Sequence, residues 1–378
     1  MTEVCFYNKA CEISPALWKT CFPAPLEGYM WYNALEESKL EDQFQFLYGV
    51  VHSDGVAVAI APAFVMNVPI SQVVPQELLP IFNLLGKIIP SLLYQRTFFI
   101  GSPCSDEGTV GMIAGSDSYR ILDFVQKNMS EKAKELNCPM FVWKDFPVSY
   151  NEGLSKIAVK HGLFKMVGFP GTHLHFKGDY LSSLKSSHRY NLKKKLRISK
   201  EKVTIETSFI QNPDTDTLDQ IFALFRQTYE KATIRFENLN HLFFKNIAKS
   251  DNSYFTILRD QKNGEMLAFM LCFVFEKHLI NKFIGLDYKR PKDWFLYFRL
   301  WEATLKYSSE LDINSIQSGQ TGYKPKLELG NKLIELTHYC RHSNPIINLI
   351  YKIFAAKVSW STLEEDLAIH IKAHPTAL

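Results

Sequence analysis

Several marks of specialised protein classes are missing from this 378-residue chain. Its seven cysteines, at positions 5, 11, 21, 104, 138, 272 and 340, are odd in number and contain no CxxC pair. That pattern excludes a paired disulfide framework and gives no zinc-ligand spacing, so no metal is expected. Each cysteine reads as a small core residue in a reducing compartment. No long apolar run is present either: the longest, Leu78 to Leu93, is broken by Pro80, Lys87 and Pro90 and is too short to span a bilayer. An export signal is missing as well, because Asn8, Lys9, Glu12 and Lys19 interrupt the first residues. The expectation is a cytoplasmic protein.

Strong net charge is also lacking, at +4 overall, but the charge is uneven. Leu181 to Lys202 holds eight Lys/Arg against one acid, an excess of +7 that leaves about −3 for the remainder. Such a run is either a solvated helix face or an anion site for phosphate, carboxylate or RNA. An apolar fraction of 46% with 22% charged residues describes an ordinary globular chain, and the length suits two domains.

The first 40 residues are aromatic-rich, and Pro15, Pro23 and Pro25 argue against a long helix there. Phe44 to His52 and Val56 to Met66 are β-rich runs joined through Asp54-Gly55, a hairpin dipeptide. An apolar insertion with helical character, Gln76 to Leu93, precedes a strand that ends in Phe98-Phe99-Ile100-Gly101. Ile121, Leu122, Val125, Met129 and Ala133 then mark a helix, and Met140 to Trp143 a buried strand.

The same order returns in the second half. Tyr254 to Leu258 and Met266 to Phe275 flank Asn263-Gly264, and Leu279 to Gly285 ends in Lys282-Phe283-Ile284-Gly285. Trp294, Phe298, Trp301 and Leu305 keep helical spacing behind Asp293, a candidate N-cap, and Ile313 to Ile316 repeats the following strand. The repeat predicts an α+β fold of two tandem units, residues 1–171 and 172–378, split at Pro170-Gly171. Leu218, Ile221, Phe222, Phe225 and Tyr229 form a core stripe on a helix for which Thr217 and Gln220 suggest a capping box. A last helix, around Ile346 to Phe354, has a wide apolar face that either docks across the units or touches a membrane or partner, docking being the default.

One loop stands out for chemistry: Gly319-Gln320-Thr321-Gly322-Tyr323-Lys324-Pro325-Lys326-Leu327-Glu328-Leu329-Gly330. Its glycines suit close backbone approach beside an aromatic-lysine pair. With Ser186-Ser187-His188-Arg189-Tyr190-Asn191-Leu192-Lys193-Lys194-Lys195 and Gly285, in that order, it resembles the FemAB-like branch of the GCN5-related N-acetyltransferase superfamily, including proteins with a BioF2-like acyltransferase domain. The resemblance covers about Tyr180 to Pro345; the first half resembles that family only in its pattern of elements.

The resemblance implies acyl transfer to a small-molecule or peptide amine, from acyl-CoA (acetyl-CoA first) or from an aminoacyl-tRNA, as in Fem peptidyltransferases. A relative that binds a ligand or partner without catalysis is the third reading. Lys324 takes the place of the family's catalytic lysine and Tyr323 that of its aromatic residue. Gln320, Arg189 and Asn191 are expected to bind substrate, Asn191 being equally suited to a helix cap. Asp287 is the candidate proton acceptor, unless it only pairs with Lys289 or Arg290. The turn Asp287-Tyr288-Lys289-Arg290-Pro291-Lys292-Asp293 departs from the superfamily's glycine-rich phosphate turn, so Lys289, Arg290 and Lys292 are the candidates for holding phosphates as point charges.

Overall fold

The structure is a computed structural model that describes residues 2–72, 79–88, 93–176, 178–232 and 238–373. Seven strands of the first half are β1 (Thr2–Tyr7), β2 (Gln45–Ser53), β3 (Val56–Pro69), β4 (Tyr94–Ile100), β5 (Gly111–Met112), β6 (Met140–Pro147) and β7 (Phe164–Val167). The second half supplies β8 (Gly171–His175), β9 (Ile205–Ile210), β10 (Ser253–Asp260), β11 (Met266–Phe275), β12 (His278–Leu286), β13 (Ser315–Gln317), β14 (Lys332–Ile334) and β15 (Leu336–His342). One sheet runs β1-β2-β3-β4-β6-β15-β7, with β5 on β3; the other runs β14-β8-β13-β12-β11-β10-β9. The sheets part near Gly171 with one exchange, because β15 returns to pair with β6 and β7.

Both expected hairpins form, β2/β3 and β10/β11, and each is followed by an antiparallel strand, a helix and a strand parallel to the one before. Asp54 and Gly55 both have positive φ, which explains why that dipeptide sits at the first turn. Helix Ser118–Glu135 buries Ile121, Leu122, Val125 and Met129 on one face of the first sheet. Helix Thr215–Lys231 buries Leu218, Ile221, Leu224 and Phe225, each worth about 1.5–3 kcal/mol if fully transferred from water. The chain approaches closely at Gly285, where a Cβ would lie 2.7 Å from Leu224 C and 2.8 Å from Phe225 N. This contact requires a glycine and fixes that helix on β12.

The largest apolar cluster crosses between the units. Trp18, Trp31, Tyr48 and Phe64 from the first half pack in one core with Phe225, Phe243, Phe269 and Phe273 from the second. Polar contacts reinforce it: Gln43 and Asn238 exchange two hydrogen bonds of 3.0 Å, and Asn240 Nδ2 donates to Ser38 O at 2.7 Å.

Several local expectations change. The opening residues carry an edge strand and two short helices, Pro15–Cys21 and Tyr29–Glu36, the first with proline at its start, where a missing N–H costs nothing. Asp214, not Thr217, caps helix Thr215–Lys231, accepting from Thr217 N at 2.8 Å. Asp293 lies in a short 3₁₀ turn, and Phe295, with φ 45°, precedes helix Leu296–Glu310. Of the insertion, only Leu79–Gly86 is described as helix; residues 76–78 and 89–92 fall outside the described residues. Among the described residues no helix is long and apolar enough to cross a membrane.

Candidate functional site

Each unit contains one pair of adjacent parallel strands that part after a short run of pairing. β4 and β6 pair from Thr97–Met140 to Ile100–Trp143, and β12 and β13 from His278–Ser315 to Ile280–Gln317. Beyond those points each sheet has a gap, bordered by a β-bulge. In the first unit the bulge falls at Lys144-Asp145, where Asp145 has φ 57°; in the second it makes Lys282 the extra residue against β11. Bulges of this kind re-aim side chains.

The Lys282 side chain is only 1% exposed, yet the residue as a whole is half-buried, so its exposure belongs to the main chain at the gap. Its ammonium lies 2.6 Å from Glu27 Oε1, 3.5 Å from Asp106 Oδ1 and 4.4 Å from the centroid of the Trp31 ring. Trp31 is held in turn by its Nε1–H donating to Ser102 Oγ at 2.9 Å. Glu107, next to Asp106, accepts from Gln317 Nε2 at 3.3 Å. One cation thus faces two carboxylates, brought together from both units, with the Glu107 carboxylate next in the chain to one of them.

The imbalance shapes the acidities. Burial pushes the Glu27 carboxyl up to about 7 against the pull of Lys282. Burial, then the charges of Asp106 and Asp145, raise Glu107 to about 7 as well. For Lys282 burial acts downward, but Asp106 and Glu27 together outweigh it and hold the ammonium above the usual lysine range. Asp106 Oδ2 and Ser318 Oγ are buried without a hydrogen-bond partner in the protein. Clusters of shifted groups in a cleft mark candidate functional sites.

A polar row continues this face of the second sheet. His175, Ser315 and His278 are cross-strand neighbours on β8, β13 and β12. Ser315 Oγ lies 2.7 Å from His173 Nε2 and 2.8 Å from His278 Nδ1. Burial, with His175 and His278 beside it, lowers His173 to about 4 and keeps it neutral. Next to this row is a cleft of about 260 Å³, lined by Ala24 and Pro25 of the first unit and by Phe275, His278 and Ser315 of the second.

None of the residues chosen from sequence lines this cleft. In the glycine loop it is Lys326, not Lys324, that turns inward: its ammonium donates to the carbonyls of Ser318, Gly319 (3.3 Å) and Gln320 (3.2 Å). Burial lowers it to about 8, and the charge of Asp106 offsets part of that. Gly319, Thr321, Gly322 and Gly330 all have positive φ, as the loop composition implied. The Lys324 side chain is exposed, with its main-chain N–H donating to Asp366 Oδ2 at 3.2 Å. Tyr323 is fully buried and donates to Pro170 O at 2.9 Å, leaving no face for substrate. Gln320 donates to Phe169 O at 3.1 Å and bonds Asp145, tying the loop to the first unit.

Asp287 sits at the end of β12 with Arg290 Nε 2.6 Å from Oδ2, and Arg290 also pairs with Glu265. This carboxylate is therefore committed to holding the turn. Lys289 and Lys292 remain exposed. Arg189 is half-buried with Nη1 3.4 Å from Leu181 O, whereas Asn191 is exposed in the middle of helix Ser186–Lys202 and is not a cap. Sequence reasoning passed over Glu27, Asp106, Glu107 and Lys282. A lysine in the middle of the apolar run Leu279 to Leu286 was the signal for the last; the carboxylates, on separate loops, gave none.

Comparison with known proteins fits this architecture. Residues 171–337 match the FemAB-like family, described as peptidoglycan biosynthesis/recognition. No curated protein matches the sequence. Among solved structures, FemX is similar with a TM-score of 0.60 at 12% identity, over 92% of this chain and 100% of its own. L-PGS from Bacillus licheniformis gives 0.53 at 11%, over 86% of this chain and 92% of its own. A tandem GNAT protein from the clavulanic acid biosynthesis pathway gives 0.51 at 11%, over 91% and 99%. The chain has the tandem GCN5-related N-acetyltransferase fold, and its second half matches the FemAB-like family.

Proposed function

We propose that this protein transfers an acyl or aminoacyl group to an amine held at the gap between β12 and β13. The observation that carries the reading is the Glu27–Lys282–Asp106 cluster with Glu107 beside it, set against the gap between β12 and β13. An amine arrives as an ammonium ion and must lose a proton before it attacks. Surplus carboxylates attract that cation, and Glu107, half-buried and near pKa 7, is matched to accept its proton at neutral pH. The amine nitrogen then bonds to the donor's carbonyl carbon while that carbon's bond to the leaving sulfur or ribose oxygen breaks, the leaving atom taking up a proton. Main-chain groups of β12 at the gap are the preorganised dipoles for the developing oxyanion. Lys282 keeps Glu27 and Asp106 in place, and Lys326 fixes the loop on the opposite side of the gap.

The donor carries an anionic handle, which the exposed Lys289 and Lys292 suit, together with the exposed Lys185, Lys193 and Lys194 of the adjoining segment. Helix Ser186–Lys202 packs on the Lys292–Trp294 turn, with Ser199 Oγ donating to Trp294 O at 2.7 Å. Acyl-CoA is the first donor class. The length of the basic helix, about 25 Å for its 17 residues, favours aminoacyl-tRNA as a second reading, since a coenzyme pyrophosphate needs far less. Incubation of the protein with labelled acetyl-CoA or with charged tRNA and a panel of amines decides between them. Transfer from one donor, abolished by Glu107→Gln, is the expected result; no transfer from either, with the fold intact, overturns the proposal.

A further inference from the structure

Helix Pro345–Ala355 is apolar on two sides. Its inner side, with Tyr351 and Ala355, packs on Met140, Val142, Phe164 and Cys340 of the first sheet, which accounts for docking. Its outer side leaves Ile346 70%, Leu349 57%, Ile350 44% and Ile353 52% exposed, at the i, i+3, i+4, i+7 spacing of one continuous stripe. Single exposed apolar residues are ordinary, but four in a stripe are not.

A second segment extends the patch. Tyr351 OH lies 3.5 Å from Gln95 Oε1 at the start of β4, next to Tyr94, which is 54% exposed. Leu93, one residue earlier, touches the end of helix Leu79–Gly86, where Leu84 and Ile88 stand 64% and 79% exposed. Two distant stretches of chain therefore bring exposed apolar side chains to one edge of the molecule. Both are also free of acids: residues 78–105 and 336–363 contain no Asp or Glu, while Lys87, Arg341, Lys352 and Lys357 are exposed among them.

From this convergence we infer that the edge formed by helix Pro345–Ala355 with Leu84, Ile88 and Tyr94 is a docking surface for an anionic lipid membrane. Apolar side chains at a helix surface, in segments whose charged residues are all cations, fit a headgroup layer, where the apolar stripe enters the acyl boundary and the lysines meet lipid phosphates. A protein partner or a second copy would suit an apolar stripe equally, but neither requires that acids be missing from both segments. The inference stands independently of the proposed transfer reaction.

The test uses the full chain with sedimented vesicles of phosphatidylcholine alone and of an equimolar mixture with phosphatidylglycerol. Binding to the mixed vesicles, weakened by high salt, is expected. Ile346→Asp with Ile353→Asp should lower it by about tenfold or more, and Lys352→Glu with Lys357→Glu should do the same without touching the apolar stripe. All four positions are exposed, so thermal melting should stay at the wild-type value. Absence of binding to the mixed vesicles overturns the inference. So does equal binding by the wild type and both variants, or a dimer in solution that the Ile346→Asp, Ile353→Asp variant converts to monomer.

Discussion

The two parallel strand pairs part at equivalent places and are finished in opposite ways. Beyond Ile100 and Trp143, main chain fills the first gap: Gly108 N–H donates to Asp145 O at 2.8 Å, and a Cβ at Gly108 would overlap Lys144 O. Beyond Ile280 and Gln317, the main chain of Lys282 stays accessible, and what reaches across is a side chain, Asp106, between Lys282 and Gly319. One loop does both, closing the first gap with Gly108 and lending Asp106 and Glu107 to the second. The duplication thus leaves one gap open and turns the other into the anchor for the carboxylates beside it.

The largest effect expected on this contrast comes from Glu107→Gln, which should lower turnover by about 10²–10⁴ with the fold intact. The wild-type rate should rise with pH through about 7, as the raised Glu107 carboxyl gives up its proton, and the variant should lose that limb. A pH–rate profile that keeps it assigns the proton acceptor elsewhere.

Next in size, Lys282→Ala leaves Glu27 and Asp106 buried without their cation and should cost about 3–5 kcal/mol in urea unfolding. Adding Glu27→Gln to Lys282→Met should recover much of that loss without restoring activity. Recovery of both would make the cluster purely structural.

A third change tests the anchor. Gly108→Ala should destabilise by about 1–3 kcal/mol through overpacking against Lys144 O and Phe146, and turnover should fall with it because the loop carries Glu107. A melting-point loss at unchanged turnover would separate the two gaps. Smallest of all, Lys324→Ala should leave turnover within a few-fold of wild type, since that side chain is exposed. A loss of about 10² or more would restore the aromatic-lysine pair as the catalytic element.

Local sequence carried the elements well wherever spacing and turn chemistry agreed. Both hairpin dipeptides, the helix stripe of Ile121 to Ala133 and the glycine-bearing loop that follows β13 follow from side-chain period and the need for positive φ, which short stretches encode completely. The tandem repeat was legible for the same reason. Less local features were not: β15 lies in the first sheet although it follows the second in sequence, and its pairing with β6 joins residues about 190 apart. In the glycine loop, sequence named the turn but not which of its two lysines is buried. Helix Tyr323–Glu328 rotates Lys324 outward and Lys326 inward, a choice set by packing against the carbonyls of residues 318–320.

Sequence by itself determined the repeated elements, their order and the basic helix, because hydrophobic period, turn residues and charge runs act over a few residues at a time. Only the tertiary structure decided where chemistry is possible. Glu27, Asp106-Glu107 and Lys282 come from three stretches with no common pattern, and the shifted acidities of Glu27, Glu107 and Lys282 exist only once burial removes water and brings the charges together.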